Sequence, residues 1–308
     1  MQRNSSLMHI LRFFQHQYKY LWFIDKAAQP FLNRNGDIAL LCILAPPRSG
    51  STLTYQLLSS AFTGYSLRNI SNFLFSTPII GYYASKIFCR NYQSSFFSEK
   101  GFVSGLCGEA EGLQFWQYWL GQGLEQRPEL LDLNRLKSLK KSLDKTGESC
   151  MITGYLGHVF SVSALREIFT KVLFIHVQRD LLSNAYSILR LTSEFNFFSI
   201  CPFVVKSRKY YDRHRLVVDQ INAIHSIIKD ESDNDTIQIS YEDICDNTEN
   251  VLKKIEKKAQ DIGIFLVRKE YTPHSFSKHI VHPDKDDDAA RLQSIINKDS
   301  YTIHAEPS

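Results

Sequence analysis

The chain of 308 residues has no run of about 18 uncharged apolar residues, which excludes a helix of the kind that crosses a membrane. It also has no dense basic stripe. Its 36 lysines and arginines stand against 32 aspartates and glutamates, a net charge of +4. So mild a balance permits an anionic ligand but argues against nucleic acid as a partner. The six cysteines, at 42, 89, 107, 150, 201 and 245, include no pair at CxxC or similar spacing. Neither a zinc site nor a disulfide framework is indicated. Such scattered cysteines are expected as small core residues in a reducing compartment, hence a cytoplasmic location. No internal repeat and no low-complexity linker divides the chain, so a single domain over 1–308 is expected.

The N-terminal stretch 7–32, LMHILRFFQHQYKYLWFIDKAAQPFL, is apolar and aromatic but broken by Arg12, Lys19, Asp25 and Lys26. It lacks the short uncharged core and cleavage site of a signal peptide. A helical segment (1–36) packed on the body of the protein is expected. Peripheral membrane contact through 7–32 is the alternative, which would make the protein membrane-associated.

Patterns of apolar residues place the remaining elements. Residues 37–45, DIALLCILA, read as a buried strand between Asn-Gly and Pro-Pro. Residues 51–62 read as a helix with Leu53, Leu57, Leu58 and Ala61 on one face. A helix within 107–124 aligns Leu113, Trp116 and Leu120, and 163–170 is a short helix. Residues 171–179, KVLFIHVQR, form a second buried strand, with helix to about 193. Residues 236–242 alternate as a third strand. A helix over 247–263 carries Val251, Leu252, Ile255, Ala259 and Ile262 as its stripe, and Gly263 stops it. Strands alternating with helices predict an α/β fold: three α/β/α layers, P-loop-like, around a mainly parallel sheet. The α/β core is expected over 37–265, with 266–308 as a C-terminal extension.

Between the first strand and its helix stand Arg48, Ser49, Gly50, Ser51 and Thr52. Backbone N–H groups of a loop that opens a helix converge on one spot, and the helix dipole adds positive potential there. Gly50 lets the backbone approach a ligand, and the hydroxyls and the Arg48 fork suit phosphate or sulfate. The loop is read as an oxyanion cradle; a plain capped turn is the bland alternative. Aligned with GxxxxGK[ST], it places Ala45 at the first glycine and Ser51 at the lysine. A phosphate cradle without the magnesium-nucleotide chemistry of a P-loop NTPase is expected. A second strand end, FIHVQRDLLSNAYSILR (174–190), places Arg179 eight residues before Ser187. Ligands in such sheets bind beyond the carboxyl ends of the strands, so Arg48 and Arg179 are suited to two separate phosphates.

These segments resemble the sulfotransferases that use 3′-phosphoadenosine 5′-phosphosulfate (PAPS). Pro47-Arg48-Ser49-Gly50-Ser51-Thr52 is similar to their PxRSGTT loop for the 5′-phosphosulfate. Arg179 and Ser187 are similar to their 3′-phosphate site. Ser240-Tyr241-Glu242-Asp243 echoes a third element, and 69–119 resembles the aromatic-rich acceptor region of bacterial members. The sequence departs from the pattern at Leu181, where a proline is usual, and at Thr153, where a lysine is frequent. It also lacks the glycine-rich C-terminal loop of cytosolic members.

The resemblance implies sulfuryl transfer from PAPS, as co-substrate and without metal, to a hydroxyl of a carbohydrate (glycan) or small alcohol. It implies that Arg48 meets the bridging oxygen and 5′-phosphate, Ser49–Thr52 cradle that group, and Arg179 with Ser187 holds the 3′-phosphate. Glu109, Glu111 and His158 are the candidate bases, with Glu111 preferred because it precedes a Phe-Trp pair. His158 lies near the position of the catalytic histidine of cytosolic members. As the bland alternative, the two glutamates simply suit the dipole of a first helical turn. Tyr241 and Lys278 are further candidates for contact with the nucleotide, against readings as a core tyrosine and a solvated loop lysine. A nucleotide kinase or other NTPase, and a non-catalytic PAPS-binding module, are the alternatives. The acceptor's identity and the oligomeric state are left open.

Overall fold

All six residues of β1 (Ala39–Leu44) are buried, because a strand on each side and helices over both faces cover them. The computed structural model describes residues 22–28, 30, 32, 36–124, 130–191, 199–200, 202–209, 212–270, 275–278 and 281–304. Four further strands join β1: β2 (Tyr65–Ser66), β3 (Cys150–Thr153), β4 (Val172–Gln178) and β5 (Thr236–Ser240). The sheet order is β2-β3-β1-β4-β5 and every pairing is parallel. The register sets Ala39 against Cys150 and Leu44 against His176. The architecture is the expected α/β three-layer fold.

The helices are α1 (Trp22–Ala28), α2 (Ser51–Ala61), α3 (Asn69–Phe73), α4 (Pro78–Phe88), α5 (Leu113–Leu120), α6 (Leu133–Asp144) and α7 (Val162–Ile168). They continue as α8 (Leu181–Leu189), α9 (Phe203–Lys206), α10 (Arg213–Asp230), α11 (Tyr241–Asp246), α12 (Thr248–Asp261) and α13 (Asp287–His304). The carboxyl ends of β1, β4 and β5 run directly into α2, α8 and α11. Three loop-to-helix junctions therefore share one edge of the sheet, where such folds bind ligands.

Two elements begin or end differently from the sequence pattern. The helix within 107–124 starts only at Leu113, so Glu109 and Glu111 precede it rather than forming its first turn. Gly112 sets that boundary with φ of 80°, and a Cβ there would lie 2.4 Å from Leu67 Cδ1. The third strand stops at Ser240, whose hydroxyl accepts from the Asp243 N–H at 2.9 Å and caps α11. Tyr241 is thus helical. β2 and β3, with two and four residues, are too short to stand out as periodic runs.

The cysteine reading also needs correction. Cys89 and Cys107 form a disulfide, while Cys42, Cys150 and Cys245 are free and buried. The bridge joins residues 18 positions apart and matches no spacing motif. It removes the ground given for a reducing compartment.

Near the N-terminus, the buried Asp25 of α1 accepts the N–H groups of Ile79 (2.7 Å) and Ile80 (3.3 Å) at the start of α4. A packed helix therefore holds for 22–28, while 7–21 lie outside the described residues. Among the described residues no helix is long and apolar enough to cross a membrane. At the other end, α13 packs Leu292 into a small core with α8 and α10. The acidic run 284–288 reads in sequence as a solvated helix start, yet Asp286 accepts from Tyr186 at 2.7 Å and Asp288 lies 2.8 Å from His214 Nε2.

Candidate active site

The loop from Ala45 to Gly50 carries the first arginine. Arg48 has φ of 63° and Gly50 φ of 98°, both in the left-handed region. A Cβ on Gly50 would lie 2.3 Å from Tyr241 Cδ2, so only glycine fits beside that ring. The Ser49 hydroxyl turns inward and donates to the Pro46 carbonyl at 2.8 Å. Its contribution to a ligand is therefore its N–H, not its hydroxyl. Asn184 on α8 donates to the Pro47 carbonyl at 2.7 Å and fixes the loop against that helix.

Arg179 closes the same corner. Its Nη1 donates to the Arg48 carbonyl at 2.9 Å, and its guanidinium lies 4.7 Å from the centre of the Tyr241 ring. Its Nε is buried with no hydrogen-bond partner. Arg48 Nε donates to Ser187 Oγ at 3.3 Å. Burial, then the neighbouring charge of Arg179, disfavours the charged form of Arg48, and Glu111 only partly offsets them. Two guanidinium groups, an unpaired buried N–H and the N-terminus of α2 make a corner that fits an anion with more than one charged group. In sequence Arg48 and Ser187 read as parts of separate phosphate sites; the fold brings them into contact.

Glu111 faces this corner. Thr52 Oγ1 donates to Glu111 Oε1 at 2.8 Å. Desolvation pushes the carboxyl up to about 7, against the Thr52 hydrogen bond and the charge of Arg48. A carboxylate so placed takes up a proton near neutral pH, which suits a general base.

The other two candidates sit differently. Glu109 reaches the cavity wall, but its carboxylate accepts from Arg68 Nη1 at 2.8 Å and Tyr92 Oη at 2.9 Å. Both donors hold it in place within the protein. His158 is fully buried, its Nε2 3.1 Å from Thr153 Oγ1 and its ring 4.3 Å from that of Trp116. Burial lowers its pKa to about 3. His158 is a core residue that does not line the cavity, because its turn, 156–160, packs against β1 and α10. Lys278 pairs with Asp246, and its neighbour Ser277 lines the cavity.

Arg48, Gly50, Thr52, Glu111, Arg179 and Tyr241 border a cavity of about 630 Å³. Its remaining walls include Phe96, Phe97, Lys100, Phe102, Tyr155 and Phe276. Phe96 and Phe276 hold their rings 5.3 Å apart across 180 residues of chain. None of these follows from strand and helix periodicity, since most lie in irregular segments; the Phe96-Phe97 pair was the available signal.

Fold and site together describe an α/β protein with two arginines meeting at the carboxyl edge of a parallel sheet. A sulfotransferase family model matches residues 41–260, and the chain belongs to the sulfotransferase family. The sulfotransferase domain of the curacin biosynthetic pathway aligns over 74% of this chain and 75% of its own, with 17% identity and a TM-score of 0.39. That of the Synechococcus PCC 7002 olefin synthase shares 14% identity over 74% of this chain and 75% of its own, with a TM-score of 0.38. A sulfotransferase from Alicyclobacillus acidocaldarius shares 12% identity over 84% and 95%, with a TM-score of 0.38. No curated protein matches the chain.

Proposed function

We propose that the protein transfers a sulfuryl group from PAPS to an acceptor hydroxyl, with Glu111 as the base. The observation that carries this reading is the meeting of Arg48 and Arg179 beside a carboxyl whose pKa lies near 7. PAPS, when bound, supplies the activated sulfuryl group. Arg179 and Ser187 are suited to its 3′-phosphate, and Ser187 would exchange its present Arg48 partner for that ligand. The N–H groups of Ser49 to Thr52 are suited to the 5′ side, with Arg48 set to meet charge that grows on the leaving oxygen. Glu111 would take the acceptor proton while Thr52 holds its carboxyl in place. Tyr241 backs the Arg179 guanidinium, which fixes its plane. The acceptor is a hydroxyl compound that enters from the aromatic side of the cavity.

The test is transfer of labelled sulfate from PAPS to a panel of carbohydrate and alcohol acceptors. Product formation that disappears in Glu111→Gln supports the reading. Nucleotide binding with no transfer to any acceptor would reduce the protein to a PAPS-binding module.

A further inference from the structure

The segment 87–106 leaves an unusual amount of apolar surface in water. Ile87, Phe88, Phe97, Phe102 and Leu106 are each between 69% and 77% exposed. Single exposed apolar side chains need no explanation, but a cluster beside a cavity does. The Cys89–Cys107 bridge, with Cα atoms 5.3 Å apart, ties together the two ends of this segment, beside Phe88 and Leu106. Reciprocal 2.9 Å hydrogen bonds between Glu99 and Phe102 close a tight turn at the far end of the loop.

This loop also reaches the reacting groups. A Cβ on Gly101 would lie 3.6 Å from Thr52 Oγ1 and 3.8 Å from an Arg48 guanidinium nitrogen. Phe97 and Phe102 line the cavity and yet stand open to solvent. Leu113, 40% exposed and also on the cavity wall, extends the apolar side toward α5. Exposed apolar side chains therefore stand on the cavity wall itself, on a loop that comes within 4 Å of Thr52. A wholly polar acceptor would leave these side chains wet.

The geometry points to an amphiphilic acceptor, a hydroxyl carried on a long apolar chain, whose chain lies along Phe97, Phe102 and Leu113. This inference rests on the sulfuryl-transfer reading for its choice of hydroxyl, but not for the apolar wall itself. In the reaction, the acceptor oxygen forms the new bond to sulfur, the bond from sulfur to the nucleotide's bridging oxygen breaks, and Glu111 takes the hydroxyl proton. Such an acceptor could arrive dissolved or seated in a lipid surface. Arg90 and Lys100, exposed on the same loop, suit the second source when anionic lipid is present.

The experiment measures equilibrium binding of n-alkanols from butanol to decanol, each below its solubility limit, with and without saturating 3′-phosphoadenosine 5′-phosphate. Affinity should rise about twofold to fourfold per added methylene, the upper figure corresponding to full burial. The double variant Phe97→Ser/Phe102→Ser should flatten that series and leave nucleotide affinity unchanged. Both side chains are largely exposed, so the variant keeps its fold. An affinity that does not depend on chain length in the parent overturns the proposal, as does an unchanged series in the variant. Failure of the nucleotide to bind would sink the sulfotransferase reading alone, because the alkanol series is also read without it. Sedimentation with phosphatidylcholine vesicles containing phosphatidylglycerol separates the sources. Co-sedimentation together with chain-length dependence supports a membrane-held acceptor, and chain-length dependence without it supports a dissolved one. Co-sedimentation without chain-length dependence overturns the proposal and leaves a membrane anchor.

Discussion

Thr52 and Glu111 stand 59 positions apart in the chain and share a hydrogen bond of 2.8 Å. It joins the first turn of α2 to the segment before α5, and so the arginine corner to the aromatic wall. Glu111→Gln should lower turnover by about 10²- to 10⁴-fold, the usual contribution of a general base, while nucleotide affinity changes little. In the parent, the acid limb of the pH–rate profile should fall near pH 7. The Thr52 hydrogen bond favours the ionised carboxylate, so Thr52→Val should raise the pKa and move that limb to higher pH. A limb that stays in place would remove Glu111 from the role of base.

Arg48 should act mainly as the leaving oxygen gains charge. Arg48→Ala is expected to lower turnover about 100-fold or more, the scale of one lost oxyanion donor, with a smaller loss of nucleotide affinity. Arg48→Lys should recover part of the rate, since it restores a point charge but not a fork. Steady-state kinetics with separate nucleotide titrations checks this; parental turnover with weakened binding would demote Arg48 to a binding residue.

Gly50 is a steric requirement. With φ of 98° and Tyr241 Cδ2 only 2.3 Å from the position of an added Cβ, Gly50→Ala should cost about 1–3 kcal/mol in urea unfolding and weaken nucleotide binding. Removing the ring with Tyr241→Ala in the same chain should restore part of the stability. No recovery in the double variant would mean that the backbone angle alone carries the cost.

Outside the site, His176 Nε2 and His225 Nδ1 lie 2.8 Å apart, and burial lowers both pKa values to about 4. Between about pH 6.5 and 4 the unfolded chain binds protons that the native pair refuses. Stability should therefore be fully present above 6.5 and fall as pH drops toward 4, by up to about 1.4 kcal/mol per pH unit for each histidine. His225→Gln should make that slope shallower in thermal melts across this range. An unchanged slope would assign the acid sensitivity to other groups.

How far the sequence could be read depended on distance along the chain. β1, β4, α2 and α12 show as continuous apolar runs or helical stripes, and both arginines stand where those strands end. Contacts between distant segments were not legible. The Arg48–Ser187 hydrogen bond spans 139 positions, and the Cys89–Cys107 bridge follows no spacing rule. In sequence Glu109 and Glu111 read as parts of one first helical turn. In the fold both precede Gly112 and differ by partner instead: Arg68 and Tyr92 hold Glu109, and Thr52 holds Glu111. His158 was a candidate by its position in the chain, and the inward packing of the 156–160 turn withdraws it.

In the proposed reaction Arg179 and Ser187 read the 3′-phosphate that separates PAPS from other adenine nucleotides. Calorimetric titration with 3′-phosphoadenosine 5′-phosphate and with adenosine 5′-phosphate, without magnesium, tests this role. The parent should bind the 3′-phosphorylated nucleotide more tightly by about tenfold or more, the worth of a charged hydrogen bond. Arg179→Ala and Ser187→Ala should each shrink that difference while leaving adenosine 5′-phosphate unaffected. Equal affinity of the parent for both nucleotides would contradict the assignment.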